Sequence, residues 1–387
     1  MAAKPPLIMH VLHHLVVGGM ENGVVNLINH MPAARYRHAV VCIEDFSDFR
    51  DRIRSDEVQV HALGRSKIGT WAMRRQLHRL FKIHRPTIVH TRNLSGLDAL
   101  LPAVLAGVPC RVHSEHGWDV DNLHGRNWKP ALLRRVHAPM VDQYVAVSRD
   151  IERYLSGRVG IAAKRIAQIY NGVDTDRFAP SSQQRLTGQP PSFVGADLIV
   201  IGTVGRIQPV KDQATLMHAF CALRQSLPDQ AHRLRLMVVG DGPLAQDLRS
   251  LAESLGISDA CWMPGSLDRV SDALAAMDIF VLPSLMEGTS NTILEAMASG
   301  LPVLATAVGG NVELVSPDRT GRLFKPRDVG QLTQLLADYV RNESLRRAHG
   351  ELARERVDQD FSLRAMVERY GALYDAVCMA KQARVTL

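Results

Sequence analysis

The sequence predicts an α/β protein made of two doubly wound parallel sheets in tandem, and three observations lead there. The chain has 387 residues, beyond the size at which one hydrophobic core stops growing, so two domains of roughly 180 residues are expected. Hydrophobic residues make up 46% of it and no long polar tract interrupts them, so both domains have the material for an ordered core. In each half, short β-branched apolar runs alternate with helical patterns, and strands separated by helices pair in parallel through βαβ crossovers.

In chain order, the first half offers strands at 7–12, 39–43, 87–90, 110–114 and 143–146, with helices such as 21–30 and 71–84 between them. Residues 179–197, rich in Ser, Gln, Gly and Pro and without periodicity, are expected to form a linker. The second half repeats the scheme with strands at 198–204, 235–239, 260–263, 279–282 and 302–305. Beyond Pro326 the pattern is helical, notably over 332–340 and 362–377. The expected layout is therefore an N-terminal domain over 1–178 and a C-terminal domain over 198–361. A terminal helix over about 362–387 is expected to pack back on the first domain.

No segment reaches the roughly 20 apolar residues of a membrane span, and the N-terminus lacks a signal-peptide pattern, so a cytoplasmic protein is expected. Five cysteines, Cys42, Cys110, Cys221, Cys261 and Cys378, are widely spaced and form no CxxC, so they read as reduced core residues. Residues 1–190 carry 26 Lys/Arg against 16 Asp/Glu, a balance of +10, whereas 191–387 carry 20 against 23, a balance of −3. The densest basic stretch runs from Arg65 to Arg92 with apolar residues interleaved. It fits either a helix lying on an anionic membrane surface or an ordinary surface helix with its apolar stripe in the core. No nucleic-acid-binding signature accompanies the charge.

Ligands of open α/β sheets bind beyond the carboxyl ends of the strands, so chemistry is sought there. The strand at 198–204 runs into GTVGRIQPVKD, which sets Arg206 and Lys211 ahead of a helix starting near Asp212. Two cations beside the positive end of a helix form a diphosphate trap. After the strand at 279–282 comes MEGTSNTILEAMASG, with Glu287 in the loop and Glu295 on the following helix. Carboxylates accept hydrogen bonds from sugar hydroxyls, and the amides of Gly288, Thr289, Ser290 and Asn291 can donate to sugar or phosphate. Thr292 and Glu295 also fit a capping box, which would make Glu295 purely structural.

These segments, EGTSNTILE, AMASGLPVLAT, GTVGRIQPVKD and the NGVD at 171–174, together resemble the retaining family 4 glycosyltransferases of the GT-B fold, glycosyl transferases group 1. The resemblance spans most of residues 140–325 and rests on four motifs in the family's order. It implies two Rossmann-like domains facing each other across a cleft. It further implies that Glu287 holds the donor sugar, that Glu295 holds the ribose, and that Arg206 and Lys211 neutralise the leaving diphosphate. The turn at Gly202 and Gly205 would allow close backbone approach. Gly18 and Gly19, between the first strand and its helix, resemble the family's glycine-rich loop near the phosphates. His116, in an H-G-x-D context, matches the family histidine beside the donor sugar, whereas His113 and Glu115 are weaker candidates.

The expected function is transfer of a sugar from a nucleotide-sugar donor, UDP-sugar favoured, to a saccharide or polyprenyl-linked acceptor in exopolysaccharide or glycolipid synthesis. No cofactor and no metal are expected. Two Asp-x-Asp sequences, at Asp119 and Asp121 and at Asp174 and Asp176, are discounted because two cations already supply the charge a metal would bring. The basic N-terminal half fits peripheral attachment at the inner face of the plasma membrane, if its helix is not an ordinary surface helix. A nucleotide-sugar epimerase of the same fold and a non-catalytic nucleotide-sugar-binding protein remain open at this point. A nicotinamide dehydrogenase is disfavoured, since no G-x-G-x-x-G with a following acidic residue is present.

Overall fold

The computed structural model describes residues 4–117, 127–180, 186 and 188–385. The chain divides into two compact units, one of Met1–Gly172 with Leu363–Leu387 and the other of Val173–Ser362.

The first unit is a seven-stranded sheet of β1 (Leu7–Leu12), β2 (Arg37–Cys42), β3 (Gln59–Ala62), β4 (Ile88–Arg92), β5 (Cys110–Glu115), β6 (Gln143–Ala146) and β7 (Ile166–Gln168). Every neighbouring pair is parallel and the order is β3-β2-β1-β4-β5-β6-β7. Its helices are α1 (Gly19–His30), α2 (Arg65–His84), α3 (Asn93–Gly96), α4 (Leu100–Leu105), α5 (Trp128–His137) and α6 (Arg149–Arg153). One face of the sheet buries Met73, Leu77 and Phe81 of α2 and Ala103 of α4. The opposite face buries Leu27 of α1 and a row of residues from the terminal helix. Strands covered on both faces read as near-continuous apolar runs, which is why β1 was visible in the sequence.

The second unit is a six-stranded parallel sheet of β8 (Ile199–Val204), β9 (Leu234–Val239), β10 (Cys261–Gly265), β11 (Ile279–Leu282), β12 (Val303–Thr306) and β13 (Gly321–Phe324), ordered β10-β9-β8-β11-β12-β13. Its helices are α7 (Gln213–Ser226), α8 (Ala245–Ser254), α9 (Val270–Ala275), α10 (Asn291–Ala298), α11 (Asn311–Leu314), α12 (Val329–Arg341) and α13 (Glu343–Arg356). Buried residues of α7, α8 and α12 share one core with β8, β9 and β11. The segment after Pro190 belongs to this unit, where Phe193 is buried with its ring against Trp262. The last helix, α14 (Leu363–Val385), returns to the first unit.

Two doubly wound parallel sheets are therefore present, and three strands lay outside the sequence expectation: β3, β7 and β13. Each is an edge strand of three or four residues. An edge strand needs few apolar residues, and the sequences QVHA, IAQ and GRLF carry little period-2 signal. The five cysteines are free thiols. Helix α2 directs its apolar stripe into the core, as an ordinary surface helix does, and leaves Trp71 and Ile83 exposed. No helix among the described residues is long and apolar enough to cross a membrane.

Candidate active site

The strand order of the second unit reverses between β8 and β11, and at such a switch point the loops leaving the two strands diverge and open a crevice. The sequence-selected residues of this unit follow those two strands. Past β8, residues Pro209–Lys211 form a 3-10 turn, Asp212 adopts a left-handed conformation, and α7 begins at Gln213. The Gln213 side chain, buried under the loop, donates to the Arg206 carbonyl at 3.2 Å. Leu285 donates its backbone N–H to the Val210 carbonyl, which ties the loop after β11 to the loop after β8.

That tie brings Lys211 onto Glu287, with Nζ 2.5 Å from Oε1. The same oxygen accepts from Ser284 Oγ at 2.6 Å. Thr306 at the end of β12 donates to the Ser284 carbonyl, and Asn311 donates to the carbonyl of Thr306. Gly309 (φ +48°) closes the arrangement from the third strand end. A Cβ placed on it would lie 1.8 Å from the Glu287 carbonyl oxygen, so only glycine permits the approach, and Gly310 donates to the Gly288 carbonyl at 2.8 Å. Lys211 and Glu287 are both largely buried, and charges held this close from neighbouring loops are set before any ligand arrives.

Helix α10 is capped by Ser290, whose hydroxyl accepts from the Ile293 N–H. The cap therefore lies two residues before Thr292, and Glu295 stands on the second turn, out of reach of a capping-box role. Glu295 is half-buried, and Gly288, Thr289 and Asn291 line the entry to the same helix. Arg206 is exposed, and its guanidinium makes no ion pair among the described residues. Gly205 sits beside the Lys211 side chain at the loop's start, but Gly202 is inside β8. Its missing side chain makes room for Met277, a packing role rather than a turn.

In the first unit the order reverses between β1 and β4, and candidates again gather there. Gly18 is the N-cap of α1 and Gly19 its first residue. The Glu21 carboxylate folds back against Gly18, and burial raises its pKa. His116 follows β5, and its backbone N–H donates to Asn93 Oδ1 at 2.8 Å. Asn93 itself adopts a left-handed conformation just after β4. Both ring nitrogens of His116 are buried and have no hydrogen-bond partner among the described residues. Burial and the neighbouring Arg92 push its pKa down to about 3, so the imidazole is neutral.

Sequence reasoning passed over a buried polar array beneath these loops. Arg92 is 2% exposed and lies 3.2 Å from His10 Nδ1. His10 meets His38 at 2.9 Å, and His90 bridges Tyr374 of α14 and Ser114. His113 and Glu115 are buried too: Glu115 takes two bonds from Arg134 and one from His113. Burial would raise the Glu115 carboxyl, but Arg134 and His113 hold it down at about 2. Both side chains are therefore engaged in a buried ion-pair network with Arg134. Asp174 accepts from the backbone N–H groups of Asp176 and Arg177, which is turn capping. Asp119 and Asp121 fall in 118–126, outside the described residues.

Residues 17–177 match the profile of Glycosyltransferase Family 4, and residues 191–356 match that of Glycosyl transferases group 1. The putative glycosyltransferase EpsF of Bacillus subtilis is 30% identical over 77% of this chain and 78% of its own length. The chain belongs to the group 1 glycosyltransferases. A UDP-Gal:alpha-D-GlcNAc-diphosphoundecaprenol alpha-1,3-galactosyltransferase of Escherichia coli is 25% identical over 95% of this chain and 96% of that enzyme. The crystal structure of Anabaena HepE in complex with UDP superposes with a TM-score of 0.81 at 18% identity, over 96% of this chain and 100% of that one. As a group 1 glycosyltransferase of GT-B fold, the protein is an enzyme of glycosyl transfer, and the epimerase and sensor readings are not favoured.

Proposed function

We propose that this glycosyltransferase moves a sugar, with retention of anomeric configuration and without metal or cofactor, from a UDP-sugar to a saccharide carried on a polyprenyl lipid. The Lys211–Glu287 pair at the switch point of the second unit carries the reading, because it presents a cation for phosphate and a carboxylate for sugar hydroxyls side by side. The name of the relative that transfers galactose from UDP-Gal to a GlcNAc-diphosphoundecaprenol supports the donor and the acceptor class.

In this reading Arg206 and Lys211 meet the diphosphate and Glu295 accepts from the ribose. The amides of Gly288, Thr289, Ser290 and Asn291, at the positive end of α10, and those of Gly18 and Gly19, at the start of α1, donate to phosphate or sugar. Gly205 leaves the Lys211 side chain unobstructed. A covalent route would need a carboxylate nucleophile under the anomeric carbon. Glu287 is held instead by Lys211 and Ser284 and serves to position hydroxyls. The bond from the anomeric carbon to the phosphate oxygen breaks with its electron pair passing to the phosphate. The acceptor hydroxyl then attacks from the same side, and its proton passes to the departing phosphate oxygen. Neutral His116 contributes a hydrogen bond to the donor sugar while positive charge grows at the anomeric carbon.

The enzyme works at the cytoplasmic side of the plasma membrane, where the lipid acceptor is found. A panel of nucleotide sugars, with nucleotide release measured with and without lipid extract, tests the reading. Release from a UDP-sugar that depends on lipid extract supports it. Release from no member of the panel, or release that leaves Lys211→Ala as active as the parent, overturns it.

A further inference from the structure

Most large apolar side chains of the described residues are buried, yet α4 and α5 turn a row of them outward. Leu105 is 64% exposed, Trp128 62% and Val136 61%, with Leu132 and Leu133 beside them. Their inward neighbours Leu100 and Ala131 lie in one core cluster, so the outward residues of the two helices flank a common piece of core. Helix α2 packs against α4 and extends the row: Trp71 is 75% exposed, and Arg74 both stacks on its ring and pairs with Asp98 just ahead of α4.

The charge on these helices has one sign. Six Lys/Arg fall in α2, two of them paired with Asp98, and α5 exposes Lys129 and Arg135 while its Arg134 is buried on Glu115; α4 has no cation, and the three helices contain no Asp or Glu at all. A protein partner in solution is met by surfaces of both signs, and an apolar row without a single acid is poorly suited to solvent. Exposed tryptophans beside cations suit the headgroup boundary of a bilayer, where the ring lies half in hydrocarbon and the cations meet lipid phosphate.

We infer that the outward face of α4 and α5, flanked by the basic face of α2, is the surface by which this enzyme inserts into an anionic lipid bilayer. The inference deepens the lipid-linked acceptor reading and rests on it for the purpose of the contact. The sequence pointed at α2, whose apolar stripe is spent on the core. The structure assigns the apolar part of the contact to α4 and α5 and leaves α2 the electrostatic part.

Flotation of the whole protein with vesicles of phosphatidylcholine, with and without phosphatidylglycerol, tests this. The parent should float with the anionic vesicles, and salt should weaken that association without abolishing it. Leu132→Glu with Val136→Glu should lower partitioning about tenfold at an unchanged melting midpoint, since both residues are solvent-facing. Should the midpoint fall, Val136→Ser replaces the pair. Arg75→Ala with Arg79→Ala and Lys82→Ala should remove the salt dependence and leave a weaker, salt-insensitive association. Failure of the parent to float, or flotation of the glutamate variant at the parent level, overturns the inference. So does a parent dimer that the glutamate variant converts to monomer, because a second copy would then own the face. Transfer to a detergent-dispersed acceptor should survive in the glutamate variant. Loss of all transfer by the parent defeats the functional reading while flotation still decides the surface.

Discussion

At Lys211 and Glu287 two charges from neighbouring loops satisfy each other, and the cost of removing either is different. Lys211→Ala leaves the Glu287 carboxylate with Ser284 alone and takes a cation from the leaving group. The expected loss is about 3 kcal/mol of transition-state stabilisation, roughly a hundredfold in kcat, by comparison with deleting a preorganised donor. Arg206→Ala should slow turnover to a similar degree at an unchanged melting midpoint, because Arg206 is exposed and pairs with nothing among the described residues. Near-parent turnover in a donor-release assay would remove Arg206 from the machinery. The histidines make a separate statement about pH. Burial, with Arg92 close by, pushes His38 down to about 4 and His116 to about 3, and it lowers His10 and His90 as well. Unfolded, each would titrate near 6.5, so below that pH the unfolded chain binds protons that the native one refuses. Stability from this array is complete above about pH 6.5 and drains as the pH falls toward the folded values. The urea midpoint should therefore drop steadily from pH 6.5 to 4.5, and His38→Gln, which still offers His10 an amide, should flatten the slope. A midpoint independent of pH over that window would contradict the assignment.

Helix α14 is the element on which the first unit depends although it lies 190 residues away in the chain. Met366, Val367, Tyr370, Leu373, Tyr374 and Val377 are buried in the core of that unit. The Tyr374 hydroxyl also reaches His90, and Asp375 accepts from Arg35 and Tyr36. Six large side chains at roughly 1.5–3 kcal/mol each match or exceed the roughly 5–15 kcal/mol by which a domain is stable. A chain ending at Ser362 should lose the first unit, seen as rapid proteolysis of β1, β4 and β5 while β8, β11 and β12 stay resistant. A protected first unit would show that the helix merely decorates it. The loop elements are tested more gently at Gly309. Alanine there forces the Glu287 carbonyl to move, so Gly309→Ala should stay folded, at a cost of about 1–3 kcal/mol, and lose most of its transfer activity.

For the whole molecule, the sequence exposed what is local and hid what joins distant segments. Arg206, Lys211, Glu287 and Glu295 could be picked out because each follows a strand whose apolar run is plain. The bond between Lys211 and Glu287 spans 76 positions and could not. His10 and His38 went unnoticed because they sit within strands otherwise apolar and the Arg92 that meets His10 comes from β4, just as the Tyr374 that meets His90 comes from α14. Strands β3, β7 and β13 were lost for the opposite reason, being too short and polar at the sheet edges to show a period. The cores of the two units are built from separate clusters of residues, so a ligand held by one should stabilise that one first. On the proposed reading, nucleotide contacts concentrate at the β8 and β11 ends. UDP at 100 times its dissociation constant should add about 2.7 kcal/mol there, a shift of roughly 5–10 °C for a domain of this size. Hydrogen exchange on heating should show that protection in β8, β9 and β11, with a smaller change in β1 and β4, and Lys211→Ala should erase it. Protection confined to the first unit would move the nucleotide away from Lys211 and Glu287 and with it the case for their roles.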